Sequence, residues 1–309
     1  MEYRVLGKTG FEVSVLGFGA SPLGGVFGTI DEPEAIRAVH QAFDAGINFV
    51  DVSPYYGITT AETVLGKALA QVERERFVLS TKVGRYGHEE FDFSAERVTR
   101  SVDESLARLN IEHIDLILCH DVEFVDLKQI VEEAIPALRK VQERGKVRAI
   151  GISGLPLKIY REVLARTELD AILSYCHYTL NDDTLTGLIP DLKAKNVGVV
   201  NAAPLAMGIL SGNPPPDWHP ASAELKAACE RAAEHCKSRG TDLATLAVQF
   251  AVANPDIATT LIGMGDTAQV AHNLAAVSKP MDRELLAEVA AILAPVHNQG
   301  WQVGRPENS

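Results

Sequence analysis

Four ionisable side chains of this 309-residue chain fall at intervals that suit a single reaction. Asp51 closes a short β-branched run at 47–51, Lys82 directly follows a second at 77–81, and His120 ends a third at 114–120. Tyr56 lies in the loop Asp51-Val52-Ser53-Pro54-Tyr55-Tyr56-Gly57. A phenol with a reference pKa near ~10 is a poor base at neutral pH. A neighbouring ammonium favours the phenolate, and a carboxylate paired with that ammonium keeps it charged and in place. The set therefore suits hydride transfer coupled to proton transfer. Tyr56 would exchange the proton, Lys82 would lower its pKa, Asp51 would anchor Lys82, and His120 would hydrogen-bond the reacting oxygen. Singly, each has an ordinary reading as a helix cap, a surface charge, a loop aromatic or a core histidine. Their shared placement at successive strand ends favours the catalytic one.

The elements that must hold these groups recur along the chain. After an alternating stretch at 3–17 around Lys8-Thr9-Gly10, which predicts a hairpin, one pattern repeats: an apolar run, a polar break, an amphipathic helix. Strands are expected at 15–19, 47–51, 77–81, 114–120, 147–152, 171–174, 197–203 and 260–262. Helices are expected at 33–45, 61–70, 94–109, 127–144, 156–165, 182–195, 222–239, 243–253, 267–276 and 281–293. Ser94 and Asp126 stand where N-caps belong, and Gly145 follows the fourth helix. Eight strands alternating with helices predict an α/β fold, a (β/α)8 TIM barrel with an N-terminal β-hairpin and extra C-terminal helices, as one domain over 1–309. An open doubly wound sheet would want G-x-G-x-x-G after its first strand, and Gly17-Phe18-Gly19-Ala20-Ser21-Pro22 fails that test. Pro214, Pro215, Pro216 and Pro220, around Trp218 and His219, predict an irregular rim loop.

Composition narrows the function. A net charge of −12 disfavours nucleic acid and anionic membranes. Apolar runs fall far short of the ~20 residues of a membrane span. The N-terminus lacks a basic-then-apolar leader, so a cytoplasmic protein is expected. Cys119, Cys176, Cys229 and Cys236 form no C-x-x-C pair, and the nine histidines form no His-x-His, so no metal is expected. Metal-dependent hydrolases are disfavoured on the same ground. The negative charge would also oppose the pyrophosphate of any dinucleotide cofactor, which backbone N–H groups and helix N-termini can hold without basic side chains. A glycosidase lacks a partner carboxylate at Asn201-Ala202-Ala203-Pro204, and a Schiff-base aldolase would find Lys82 held protonated by Asp51.

Further segments carry a resemblance. Gly17-Phe18-Gly19, Asp51 to Gly57, Thr81-Lys82, Leu118-Cys119-His120, the stretch Gly145 to Ser153, and Ala203 to Gly208 together resemble the aldo-keto reductase family along nearly the whole chain. The resemblance implies a catalytic tetrad of Asp51, Tyr56, Lys82 and His120; Tyr55 competes with Tyr56, but the family's tyrosine directly precedes a glycine. It implies cofactor contacts from Gly19, Ala20, Ser21 and Asp51, then Ser153, Ser174 and Tyr175. Ala203, Pro204, Leu205, Met207 and Gly208 follow, and finally Gly263, Gly265, Gln269, His272 and Asn273. Ala202 stands where many members stack an aromatic on the nicotinamide, Gly154 where Asn usually follows the serine, and Tyr175 in place of the carboxamide-binding glutamine. His272 replaces a glutamate on the adenine side.

Within that family, the segments 19–24, 91–97, 120–124, 174–178 and 218–222 are similar to plant-type dehydrogenases that oxidise a sugar such as L-galactose at C1 to its lactone, a step of ascorbate biosynthesis. The implied cofactor is NAD: 260–274 contains no Lys or Arg for a 2′-phosphate, while Asp266 would oppose one. For substrate, His120, Tyr56, Asp121, Phe124 and Trp218 are expected contacts. Asp121 and Glu123 suit adjacent hydroxyls, or equally cap the next helix. Related aldoses (L-fucose, D-arabinose), pyridoxal, or a cofactor-binding redox-sensing subunit are the alternatives. The partner is a small sugar, on a monomer or small homo-oligomer.

Overall fold

A computed structural model describes residues 1–309 apart from 27 and 216, so Pro216 of the proline-rich loop lies outside the described residues. β1 (Tyr3–Val5) pairs antiparallel with β2 (Glu12–Ser14), Tyr3 opposite Ser14. The eight strands that follow are β3 (Leu16–Gly19), β4 (Phe49–Asp51), β5 (Val78–Val83), β6 (Ile114–Cys119), β7 (Val147–Gly154), β8 (Ala171–Tyr175), β9 (Gly198–Ala202) and β10 (Thr259–Gly263). They close a parallel barrel in chain order, β10 pairing back onto β3. The barrel and its hairpin are as the sequence predicts, except that the chain leaves the hairpin at Ser14 and enters the barrel at Leu16.

Alternation along the strands builds two layers. On β6, Leu116 and Leu118 point into the barrel with Phe49, Leu173, Val200 and Leu261, while Ile117 and Cys119 face the surrounding helices. Leu6, Phe11 and Val13 of the hairpin pack into the same inner cluster and close the N-terminal end. Each such large side chain, once buried, contributes about 1.5–3 kcal/mol. With that end plugged, the strand C-termini form the open mouth, where barrel chemistry belongs.

Three expected elements differ. β5 runs on to Val83, pairing with Cys119 of β6, so Lys82 sits inside the strand rather than after it. The helix expected over 127–144 is broken by a π turn at Ile130–Ala134: Pro136 has no N–H to donate, and the N–H of Ile135 reaches back five residues to Ile130. In place of a helix over 182–195 there is a 3-10 turn at Thr184–Gly187 and a short helix at Ile189–Ala194. There the Asp182 carboxylate accepts from the Thr184 N–H at 3.0 Å and its hydroxyl at 2.5 Å, a local bond that competes with helix. Ser94 and Asp126 cap as expected, accepting from the N–H groups of Arg97 and Lys128.

Candidate active site

A cavity of about 430 Å³ opens at the barrel mouth, with Asp51, Lys82, Tyr56 and His120 in its wall. Lys82 and Asp51 stand on neighbouring strands, 1% and 4% exposed, and Lys82 Nζ lies 2.5 Å from Asp51 Oδ1. The same ammonium donates to the Val52 carbonyl at 2.9 Å and to the Tyr56 hydroxyl at 3.2 Å. Burial opposes the charge of Lys82, but Asp51 and Tyr56 outweigh it and hold the ammonium above its usual range. Tyr56 corrects one expectation. Burial pushes its phenol above the ordinary range, with Lys82 pulling it down and Asp51 and Asp121 pushing it further up. Lys82 thus lowers the phenol only relative to what burial alone would impose. The loop carrying Tyr56 is pinned by glycine: Gly57 (φ +61°) lies so close to Gly24 that a Cβ there would fall 2.0 Å from the Gly24 carbonyl oxygen.

His120 follows β6 directly and is 4% exposed. Burial, with Lys82 and Arg85 adding, holds its imidazole well below the usual range, so the ring is neutral. Its Nδ1 meets the hydroxyl of Ser53 at 3.0 Å, and its Nε2 lies 3.5 Å from Asp121 Oδ2. Ser53 was not among the residues read from the sequence, though its place two residues beyond Asp51 is the signal that marks it. Arg85 was missed as well. It pairs with Asp121 and lies 3.9 Å over the Tyr55 ring, contacts that strand patterning does not encode.

The residues expected around a cofactor divide. Gly19, Ser21, Ser153, Tyr175, Ala203, Pro204, Leu205, Met207, Gly208 and Gly263 line the same cavity as the tetrad. Ala20 is fully buried, its N–H donated to the Asp51 carbonyl, and Ser174 is fully buried; neither lines the cavity. Gly265, Gln269, His272 and Asn273 also stand outside its wall. Gln269 Oε1 accepts from the Gly265 N–H at 2.8 Å, Asn273 is 6% exposed, and His272 lies 3.7 Å from Asp242 on the outer side. After β9, Ala203, Ala206 and Met207 all hold left-handed backbone (φ +52°, +46° and +53°). Such strain gathers at ligand clamps, and backbone folded this way turns N–H groups toward anions. The cavity runs from the ammonium floor to this backbone loop, in which the Ala206 and Gly208 N–H groups are donated to the Ala203 and Leu205 carbonyls, and its lining fits the nicotinamide side of a dinucleotide rather than its whole length.

The substrate-side residues divide too. Asp121 lines the cavity, and so does Trp218, 61% exposed and stacked on His219. Phe124 is not in the cavity wall: it stacks on Phe91 with ring centroids 5.1 Å apart, beside Arg85. Glu123 neither caps a helix nor faces the mouth. It is fully buried, its Oε1 accepting from the Leu155 N–H at 3.0 Å and the Tyr175 hydroxyl at 3.3 Å. Gly154 leaves room for it, since a Cβ at 154 would fall 2.4 Å from Glu123 Oε2. Among the described residues no cluster of three or more metal-ligating side chains occurs, and no helix is long and apolar enough to cross a membrane. The four cysteines are buried and unpaired, burial pushing Cys119 up to about 12.

A closed parallel barrel with a carboxylate–ammonium–phenol chain and a neutral histidine at its mouth defines a class of barrel oxidoreductase. Residues 15–294 match the model of the Aldo/keto reductase family. The chain belongs to that family of oxidoreductases, which use nicotinamide cofactors. It is 53% identical to the L-galactose dehydrogenase of Arabidopsis thaliana, over 100% of this chain and 99% of that one. It is 38% identical to the D-arabinose 1-dehydrogenase of Saccharomyces cerevisiae, over 72% and 70% of the two chains. Among solved structures, an aldo-keto reductase of Bacillus halodurans in its holo form superposes with a TM-score of 0.80 at 27% identity, covering 100% and 99%.

Proposed function

We propose that the protein oxidises the C1 hydroxyl of a cyclic aldose, L-galactose first, to the aldonolactone, with NAD+ as hydride acceptor. The observation that carries this is the buried ammonium of Lys82, shared between Asp51 at 2.5 Å and the Tyr56 hydroxyl at 3.2 Å. NAD+, when bound, would supply the hydride acceptor for C1. The C1 hydroxyl proton passes to Tyr56, and the C1–O bond becomes the lactone carbonyl. Lys82 stabilises the phenolate that receives the proton, and Asp51 keeps Lys82 charged. His120 holds the reacting oxygen, and Asp121 accepts hydrogen bonds from the remaining hydroxyls. Cofactor contacts fall to Ser153, Tyr175 and the 203–208 loop on the nicotinamide side, and to Ser21 and Gly263 further out. Gln269, His272 and Asn273 belong to the adenine end, where the family resemblance implies them.

NAD over NADP is supported at the start of the helix Thr267–Ser278. Glu34 Oε1 accepts from the Thr267 N–H at 2.9 Å and pairs with its hydroxyl, which holds the Glu34 carboxyl down to about 2. Asp266 caps the same helix by accepting from Gln269. Two carboxylates at this end oppose a 2′-phosphate. The two dehydrogenases named above, which act on L-galactose and D-arabinose, support an aldose as substrate. The test is absorbance of reduced nicotinamide with L-galactose, L-fucose, D-arabinose and pyridoxal, each with NAD+ and NADP+. Steady turnover of L-galactose with NAD+, abolished by Tyr56→Phe, is expected. Cofactor binding without turnover of any aldose overturns the reading in favour of a redox-sensing subunit.

A further inference from the structure

Ser53 is fully buried on the loop between Asp51 and Tyr56, and both of its hydrogen bonds are defined. Its oxygen accepts from the Tyr55 N–H at 3.1 Å and stands 3.0 Å from His120 Nδ1. A hydroxyl carries one hydrogen, and a buried one left without an acceptor costs about 1–3 kcal/mol. Among the described residues, Nδ1 is the only partner in reach that can take the hydrogen. A neutral imidazole has one N–H, so an accepting Nδ1 leaves the hydrogen on Nε2. Nε2 is the nitrogen toward Asp121 Oδ2, at 3.5 Å on the cavity wall.

We infer that Ser53 is a positioning residue that fixes His120 as its Nε2–H tautomer, so that His120 donates to the substrate oxygen and cannot take the proton from it. The division of labour follows: with His120 restricted to donating, the proton of the C1 hydroxyl has Tyr56 as its acceptor. The consequence for the proton rests on the function proposed above; the tautomer itself is a property of the free protein.

The test is long-range proton–nitrogen NMR on the full chain labelled at histidine nitrogen, with His120→Gln assigning its signals among those of the nine histidines. The wild type should show a bare Nδ1 and a protonated Nε2. Ser53→Ala should give a mixture of tautomers and a kcat/KM lowered about 10-fold, the loss of one hydrogen-bond's worth of orientation, and Ser53→Thr should restore both. A wild-type Nδ1 that carries the hydrogen overturns the inference without need of any variant, and so does an unchanged tautomer in a folded Ser53→Ala. If the tautomer is as stated but no aldose is oxidised, the proposed function fails and the positioning role stands.

Discussion

At the floor of the cavity, Lys82 and Asp51 project from β5 and β4, nearly sealed from solvent, with the ammonium donating to the Asp51 carboxylate, the Val52 carbonyl and the Tyr56 hydroxyl. At the rim, Arg85 and Asp121 form a second ion pair, but from loops: Arg85 lies beyond β5, and Asp121 holds left-handed backbone at φ +51°. Both pairs are close, yet they are held for different ends. Strand neighbours in a barrel keep their spacing by main-chain hydrogen bonds, so the floor is preorganised before any ligand arrives. The loop pair is held instead by side-chain contacts, with the aromatic faces of Tyr55, Phe91 and Phe124 against Arg85. On the function proposed above, the difference separates chemistry, set at the floor, from recognition, set at the rim.

The strongest way to break this separation is Lys82→Met. Removing the ammonium leaves Asp51 buried without its partner and Tyr56 without its counter-charge. We expect kcat to fall about 10³–10⁴-fold and stability to fall by about 3–5 kcal/mol. The double variant Lys82→Met/Asp51→Asn should recover most of the stability and none of the activity, read by urea unfolding and steady-state kinetics. Recovery of activity in the double variant would mean that the ammonium serves folding alone.

This floor was legible in the sequence because strand periodicity and helix spacing place residues 51, 82 and 120 at one end of any closed barrel. The register was less so: Val83 continues the β-branched run, so Lys82 falls inside β5 rather than beyond it. Pro136 carried a warning that the helix over 127–144 would not be uniform, and Asp182 a similar one for 182–195. Arg85, Glu123 and Phe124 were illegible for a different reason. Their roles come from partners on other elements, Tyr55, Leu155 and Phe91, and no local pattern encodes which partner a loop side chain meets.

Glu123 sharpens the comparison from beneath. It lies on the loop of Asp121 but is buried like the floor, and burial, with Asp121 adding, pushes its carboxyl from 4.5 up to about 8. The folded protein therefore binds more protons than the unfolded chain across that interval, and stability falls as pH rises through it, levelling above about 8. At about 1.4 kcal/mol per pH unit the loss is at most about 5 kcal/mol. Glu123→Gln keeps the shape without the titration. Unfolding curves from about pH 5 to pH 9 should show the wild type losing stability relative to the variant. Parallel curves would place the pH dependence elsewhere.

Asp121→Asn probes the rim alone and carries the smallest expected effect. The amide keeps one acceptor oxygen but loses the charge that strengthens hydrogen bonds from sugar hydroxyls, a difference of about 1.5 kcal/mol. Arg85 loses its charged partner but keeps the aromatic faces of Tyr55, Phe91 and Phe124 against it. If recognition resides at the rim, KM for the aldose rises about 10-fold while kcat changes by less than about 3-fold. Asp121 also lies 3.5 Å from His120 Nε2, which makes the opposite result informative. A fall in kcat at unchanged KM would show that Asp121 acts on the reacting oxygen through His120, and the boundary between floor and rim would then run outside Asp121 rather than inside it.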